Sequence, residues 1–389
     1  VGLSVRAGEI LGIGGLQGSG ASQLLWGLFG GLEKRARGRV WLDGKAIRIR
    51  RPRHAIDRGI AMLTNDRKAT GLVFSMSVIA NATLSDLRRR ARRRIPGFVW
   101  GYLDGGAGNE AAISRAEAAM DAVTLMPGIL GGDPAPVLET DFMGRSFTLP
   151  VGIAPVGMSG VVWPDAERLL ARVGRESGIP YGLSTVAAAP PEDVASALGP
   201  EAWFQLYAPN DPDIRRDMLA RARAAGFGTL VLTVDVPLLS RRPRELKARL
   251  ANPMRLTPRV LIESALRPAW SLGHLGRPVP RPKIFDKYTE GMTPAAGDKH
   301  IGLTLRCAPD WDYLKALRDE WDGPLIVKGI LDPEHAGALL EHGADALWVS
   351  SHAGRQFEAA PAPLPALVQV REAVGPDVPL IYDGAVRSG

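Results

Sequence analysis

The chain is poor in the residues on which several kinds of site depend. It has one cysteine, Cys307, in 389 residues, which excludes an internal disulfide framework and fits a reducing compartment. No cysteine cluster and no His/carboxylate spacing of metal-ligand kind occurs, so no metal is expected. Long apolar runs are also missing. One uncharged apolar stretch, Phe147 to Trp163, is interrupted by Pro150 and Pro155 and is shorter than a membrane span. No signal peptide opens the chain, and a cytoplasmic location is expected. There is no Gly-x-Ser-x-Gly elbow, which argues against a hydrolase of that type.

What is present points to a globular protein: 46% hydrophobic and 23% charged residues. A net charge of +7 would permit contact with anions. Much of that excess sits in "RRRARRR", Arg88 to Arg94. No aromatic residues are interleaved there, so the run reads as a solvated basic helix face and no nucleic-acid partner is expected.

The length exceeds one average domain, and the chain divides into two unlike stretches, 1–85 and 86–389. In the first, "GEILGIGGLQGSGASQLLWGLFG" reads as a strand, Ile10 to Ile13, a glycine turn, then a helix from about Ala21. That is the layout of a phosphate-cradling loop. Gly15-x4-Gly20 has the required spacing, but Ala21 stands where the loop's lysine belongs. Together with "NDRKATGLVFSMSVIANATL", this stretch resembles the second nucleotide-binding half of sugar-importer ABC transporter ATPases. The signature loop, Walker B acid and switch histidine do not follow. The resemblance therefore implies a truncated, degenerate α/β segment without ATPase activity.

From residue 86 apolar strands alternate with helices of 10 to 15 residues, the pattern of βα units and a parallel sheet. Strands are predicted at 150–154, 181–184, 203–206, 230–233, 325–327, 346–349 and 379–382, with helices such as 213–225 and 333–342 between them. Seven repeats without a Rossmann glycine fingerprint favour a (β/α)8 TIM barrel, with no eighth strand before Gly389. In such barrels the site is built at the C-terminal strand ends. Those ends carry Pro155 and Gly157, Ser184 and Thr185, Gln205 and Tyr207, Thr233 and Asp235, Lys328, Ser350 and His352, and Asp383. One such residue is readily a helix cap; seven strand ends in a row converge on one mouth.

The residue types suggest the chemistry. His352 can take a proton near neutral pH, and Asp235 can orient and stabilise its imidazolium. Arg242 and Arg355 offer planar forks for a carboxylate. Ser184, Gln205 and Thr233 could hydrogen-bond a heteroaromatic edge beside the fixed charge of Lys328.

The motif "SSHAGRQFE", with "GYLDGGAGNE", "LPVGIAPVGMSGVVWPDAE", "WFQLY", "LTVDVPLLSRR", "PLIVKGI" and "IYDGAVRSG", resembles the FMN-dependent α-hydroxy-acid dehydrogenases across residues 86–389. "ALRPAWSLGHLGRP" is similar to the mandelate and bacterial lactate branch. The resemblance implies His352 as base with Asp235 as its partner. It implies Arg242, Arg355 and Tyr102 on the substrate carboxylate and Tyr207 facing its hydroxyl. Ser184, Gln205, Thr233 and Lys328 would bind the isoalloxazine of FMN, and Ser350 would also contact the cofactor. Pro155, Val156 and Gly157 would pack on the ring, and Asp383, Gly384 and Arg387 would begin the ribityl-phosphate site. The chain departs from the pattern at Ser240, Ala353 and Ala385, each for a glycine, and at Ser351 for an asparagine.

The expected reaction is oxidation of an (S)-2-hydroxy acid of L-lactate or mandelate type to the 2-oxo acid. Quinone or oxygen would be the electron acceptor, and a homo-oligomer is expected. The insert from Arg244 to Ala308 is basic and carries Trp270, which suggests peripheral contact with the inner face of a membrane. Two alternatives stand beside this reading: a sugar ABC transporter ATP-binding fragment, and a non-catalytic fusion remnant.

Overall fold

The structure is a computed structural model that describes residues 2–14, 19–32, 36–63, 87–124, 126, 137–238, 240–248, 257–304 and 308–386. The chain divides into two units, Val1–Ser85 and Asp86–Gly389.

In the first unit a helix spans Ala21–Phe29 between left-handed Gly20 and Gly30. A hairpin pairs Val40–Leu42 with Lys45–Ile47, and a short helix covers Pro52–Ile56. The strand expected at Ile10 to Ile13 does not form: these residues carry no ladder, and Ile10 is 98% exposed. A β segment needs a partner for its backbone groups, and the described residues supply none here. Most of the glycine turn and the stretch containing "NDRK" lie outside the described residues.

The second unit is organised by a parallel six-stranded sheet of TIM-barrel type. Its strands are β1 (Tyr181–Ser184), β2 (Ala202–Tyr207), β3 (Thr229–Thr233), β4 (Leu325–Ile330), β5 (Ala346–Val349) and β6 (Leu380–Tyr382). Sheet order follows chain order, β1 to β6, so each βα unit lies beside its neighbour in sequence. The helix predicted at 213–225 spans Pro212–Ala224, with Asp211 capping the N–H groups of Asp213 and Ile214. The one predicted at 333–342 spans Pro333–Glu341, capped by Asp332. In both, the acid at the N-cap and proline at the first position encode the start.

The stretch 150–154, read as a strand, contributes only a bridge from Ile153 to Tyr181. Pro150 and Pro155 lack N–H donors and Gly152 weakens extended structure, so the ladder cannot propagate.

Alternation along the strands separates two cores. Phe204, Leu206, Leu230, Leu232, Val327 and Leu347 point outward and pack with helix residues such as Met218, Leu219, Leu317 and Leu339. Trp203, Val231, Ile326, Ala346 and Trp348 form a separate inner cluster, with Phe142 and Met143 packed against it. Phe142 belongs to the hairpin Thr140–Phe142/Arg145–Phe147, and its ring lies 6.0 Å from that of Trp203. The apolar layer is thus closed at one end of the sheet. The site lies at the other.

Candidate active site at the strand ends

Two residues beyond the last inner apolar position of each strand, the same face turns polar. Trp203 is followed by Gln205, Val231 by Thr233, Ile326 by Lys328, Trp348 by Ser350 and Ile381 by Asp383, as a period of two dictates. These side chains meet. Ser184 Oγ donates to Gln205 Oε1 at 2.9 Å and Gln205 Nε2 donates to Thr233 Oγ1 at 3.0 Å. Lys328 Nζ donates to Ser350 Oγ at 2.7 Å and to Asp383, and stands 4.5 Å from the Trp348 ring centroid. Lys328 is only 5% exposed, a cost its ion pair and hydrogen bonds offset.

Above this ladder sit the titratable groups. His352 Nδ1 lies 3.0 Å from Asp235 Oδ1, and Tyr207 Oη lies 3.3 Å from His352 Nε2. A carboxylate on Nδ1 keeps the proton there, so Nε2 presents a lone pair to the mouth. Burial, reinforced by Asp235, raises the pKa of Tyr207, so its phenol stays a donor toward Nε2. Burial likewise raises the pKa of Tyr102, whose hydroxyl donates to Gly157 O at 2.7 Å. This contact ties the helix Gly97–Asp104 to the Pro155–Gly157 loop.

Asp235 reaches this position through Gly329. A Cβ there would come within 2.6 Å of Asp235 Cγ, and φ is +105°; the register of β4 on β5 also shifts between Lys328 and Ile330, a bulge that re-aims the strand end. Gly354 is equally constrained: at φ +71°, a Cβ would meet Ile113 N at 2.9 Å.

The two arginines are held differently. Arg355 Nη1 donates to Tyr102 O at 2.6 Å and Gly105 O at 3.0 Å, with its guanidinium 4.9 Å from the Tyr102 ring centroid. Burial lowers its pKa without threatening its charge. Arg242 Nε donates to Ser240 Oγ at 3.0 Å, and Nη1 lies 2.7 Å from Glu245 Oε2. Ser240, one of the departures from the family pattern, thus has a use: its hydroxyl holds Arg242. Ala353 and Ala385 depart at a cost, since both have positive φ, 52° and 57°, where glycine is at ease. Ser351 is buried with an unpartnered hydroxyl; nothing in the structure explains it.

All the expected site residues among the described ones lie at the strand ends or the loops that follow them, or on the helix carrying Tyr102. Gly384, at φ +105°, accepts from Tyr382 Oη at 2.8 Å; Val156 is 39% exposed; Arg387 lies outside the described residues. Trp270 is a correction. It is 4% exposed, packs edge-on against Phe98 and donates to Val161 O at 3.0 Å, so the indole is a core residue and has no free face for a membrane.

Sequence reasoning missed three carboxylates. Glu167 Oε1 accepts from Ser159 Oγ, Gly160 N and Ala188 N, joining the short helix Ser159–Val162 to the loop at Ala188. Asp104 pairs with Arg88 and Arg244. Glu245 pairs with Arg242; its spacing of three from that arginine on a helix was the available signal.

Residues 91–389 match the family described as FMN-dependent dehydrogenase. The chain is 37% identical over 314 residues to an L-lactate dehydrogenase of Caulobacter vibrioides, covering 79% of this chain and 81% of that one. It is 35% identical over 309 residues to an L-lactate dehydrogenase of Pseudomonas aeruginosa, covering 78% and 80%. Among solved structures, that of the monotopic membrane protein (S)-mandelate dehydrogenase superposes with a TM-score of 0.73 at 31% identity, covering 78% of this chain and 80% of that one. The chain belongs to the FMN-dependent dehydrogenase family.

Proposed function

We propose that the second unit oxidises an (S)-2-hydroxy acid of L-lactate or mandelate type to the 2-oxo acid. The observation that carries this reading is the linked set Asp235, His352 and Tyr207, placed directly above the Lys328 and Gln205 ladder. The chemistry of the donor set fits a flavin. Ser184, Gln205 and Thr233 present alternating donors and acceptors suited to a pyrimidine edge, and Lys328 supplies a buried cation. Asp383 Oδ1, buried without a partner, remains able to accept a hydroxyl, as a ribityl chain would offer.

Bound FMN would supply the two-electron acceptor. The protein's own groups do the rest. Arg355 and Arg242 hold the substrate carboxylate, with Tyr102 at their side. Tyr207 hydrogen-bonds the substrate hydroxyl. His352 Nε2 takes the substrate proton, and Asp235 stabilises the imidazolium that results. Pro155, Val156 and Gly157 would cover one face of the ring, with Ser350, Gly384 and Arg387 completing the cofactor site. Rapid mixing of the FMN-loaded protein with L-lactate and with (S)-mandelate should bleach the flavin absorbance. Extraction of FAD, or no bleaching by any 2-hydroxy acid, would overturn the reading.

Two further readings concern the remaining surface. No helix among the described residues is long and apolar enough to cross a membrane. Yet the helices Pro258–Ala265 and Pro268–His274 expose Ile262 (62%) and Leu272 (68%), and Leu266 (66%) and Leu275 (77%) just past their ends are exposed too. Exposed aliphatics on a basic insert support peripheral membrane contact; the (S)-mandelate dehydrogenase noted above is named as monotopic. Binding to anionic vesicles should weaken in a Leu272→Ser/Leu275→Ser variant, and unchanged binding would refute the contact. For residues 1–85 the proposal is a degenerate ABC-type nucleotide-binding segment. With Ala21 in place of the lysine it should not hydrolyse ATP; hydrolysis lost on altering Ser22 would contradict this.

A further inference from the structure

Arg242 does not meet a substrate with its fork free. It stands at the entrance to the helix Pro243–Ala248, one turn before Glu245, and Nη1 lies 2.7 Å from Glu245 Oε2. The side chains are 19% and 25% exposed, so water screens the pair only in part. The contact is ionic without the direction of a hydrogen bond, and Oε2 is buried with no hydrogen-bond partner. The Arg242 guanidinium compensates this charge, and Glu245 in turn occupies one side of the Arg242 fork. The field of Glu245 reaches the other groups at this end of the site, acting on both Tyr102 and Arg355. Two further cations at this end are paired: Arg244 with Asp104 and Glu110, and Arg88 with Asp104. Below, Lys328 pairs with Asp383.

We propose that Glu245 is a built-in carboxylate that sets the charge class of the substrate, admitting hydroxy acids with one carboxylate and rejecting those whose side chain carries a second. The proposal rests on the 2-hydroxy-acid reading of the site. Arg242 and Arg355 carry two positive charges, and Asp235 and Glu245 two negative ones. One incoming carboxylate can share Arg242 with Glu245 and take the open side of Arg355. A second meets Glu245 already seated on the Arg242 fork, so its desolvation is not recovered there.

Glu245→Gln separates charge from positioning, because the amide keeps the volume and an acceptor oxygen for Arg242 while losing the negative charge. Glu245→Asp keeps the charge. Steady-state kcat and KM would be measured with (S)-lactate and with (S)-malate. Binding of pyruvate and of 2-oxoglutarate would be read from thermal unfolding shifts of the FMN-loaded protein. For Glu245→Gln, KM for lactate should fall by roughly three- to tenfold, with kcat changing less than KM. The malate-to-lactate ratio of kcat/KM should rise by roughly tenfold or more. Glu245→Asp should retain the wild-type preference. An unchanged ratio in Glu245→Gln, or a KM that rises equally for both acids, would overturn the proposal and leave Glu245 as an orienting partner of Arg242 only. If no hydroxy acid is oxidised, the oxidation reading fails. The charge role then stands or falls on whether Glu245→Gln tightens 2-oxoglutarate more than pyruvate.

Discussion

The two units differ in how far their described residues are buried. Among the described residues of Val1–Ser85, only Gly30 and Ala55 are buried, while Trp41 is 56% and Leu63 99% exposed. In Asp86–Gly389, Gln205, Thr233, Lys328 and Ser350 are each 5% exposed or less. The glycine turn of the first unit has phosphate-loop spacing, but its flanking apolar residues Ile10 and Ile13 are exposed. The polar positions of the second are fixed by the strands they terminate. A motif becomes a site only where a core holds it still and keeps water out.

The comparison is tested most severely at His352. His352→Gln should retain the fold and bound FMN while slowing flavin reduction by roughly 10²–10⁴-fold. Asp235→Asn should also slow it, by removing the charge that favours the imidazolium. The double variant should lose little more than His352→Gln alone, because Asp235 acts through His352. Near wild-type reduction by a flavin-loaded His352 variant would place the base elsewhere.

Next in size is a paired core substitution. Leu232→Ala removes a side chain 1% exposed at the centre of the outward core and should destabilise the second unit by about 3 kcal/mol. Trp41→Ala, at 56% exposure, should cost about 0.5 kcal/mol or less. Thermal and denaturant unfolding would measure both. Equal costs would mean that the first unit has a core its described residues do not display.

The smallest effect is expected at Ala353. Its φ of 52° is strained for any residue with a Cβ, so Ala353→Gly should stabilise by about 1 kcal/mol or less. A lower unfolding midpoint in that variant would show that the alanine Cβ contributes packing that outweighs its backbone strain.

Much of the barrel was legible because its signals are local. Apolar strands, capped helices such as Pro212–Ala224, and polar residues two positions past Trp203, Val231, Ile326 and Trp348 follow from periodicities of two and 3.6, which the chain carries with it. The failures are of another kind. Residues 150–154 looked like a strand and make one bridge, because the stretch between two prolines cannot extend the ladder. Trp270 looked available for a membrane and is buried against Phe98, since only folding brings the insert onto that helix.

The sequence by itself determined which residues could face inward at the strand ends, because side-chain direction in a strand is set by position alone. Only the tertiary structure decided their partners. Lys328 meets Asp383 across 55 positions and His352 meets Asp235 across 117, while Arg242 turns to Glu245 rather than standing open. Such pairings depend on sheet register, on the bulge at Gly329 and on how buried charges find the nearest compensation. Those are properties of the packed chain, where removal from water makes each unpaired charge costly enough to select its neighbour.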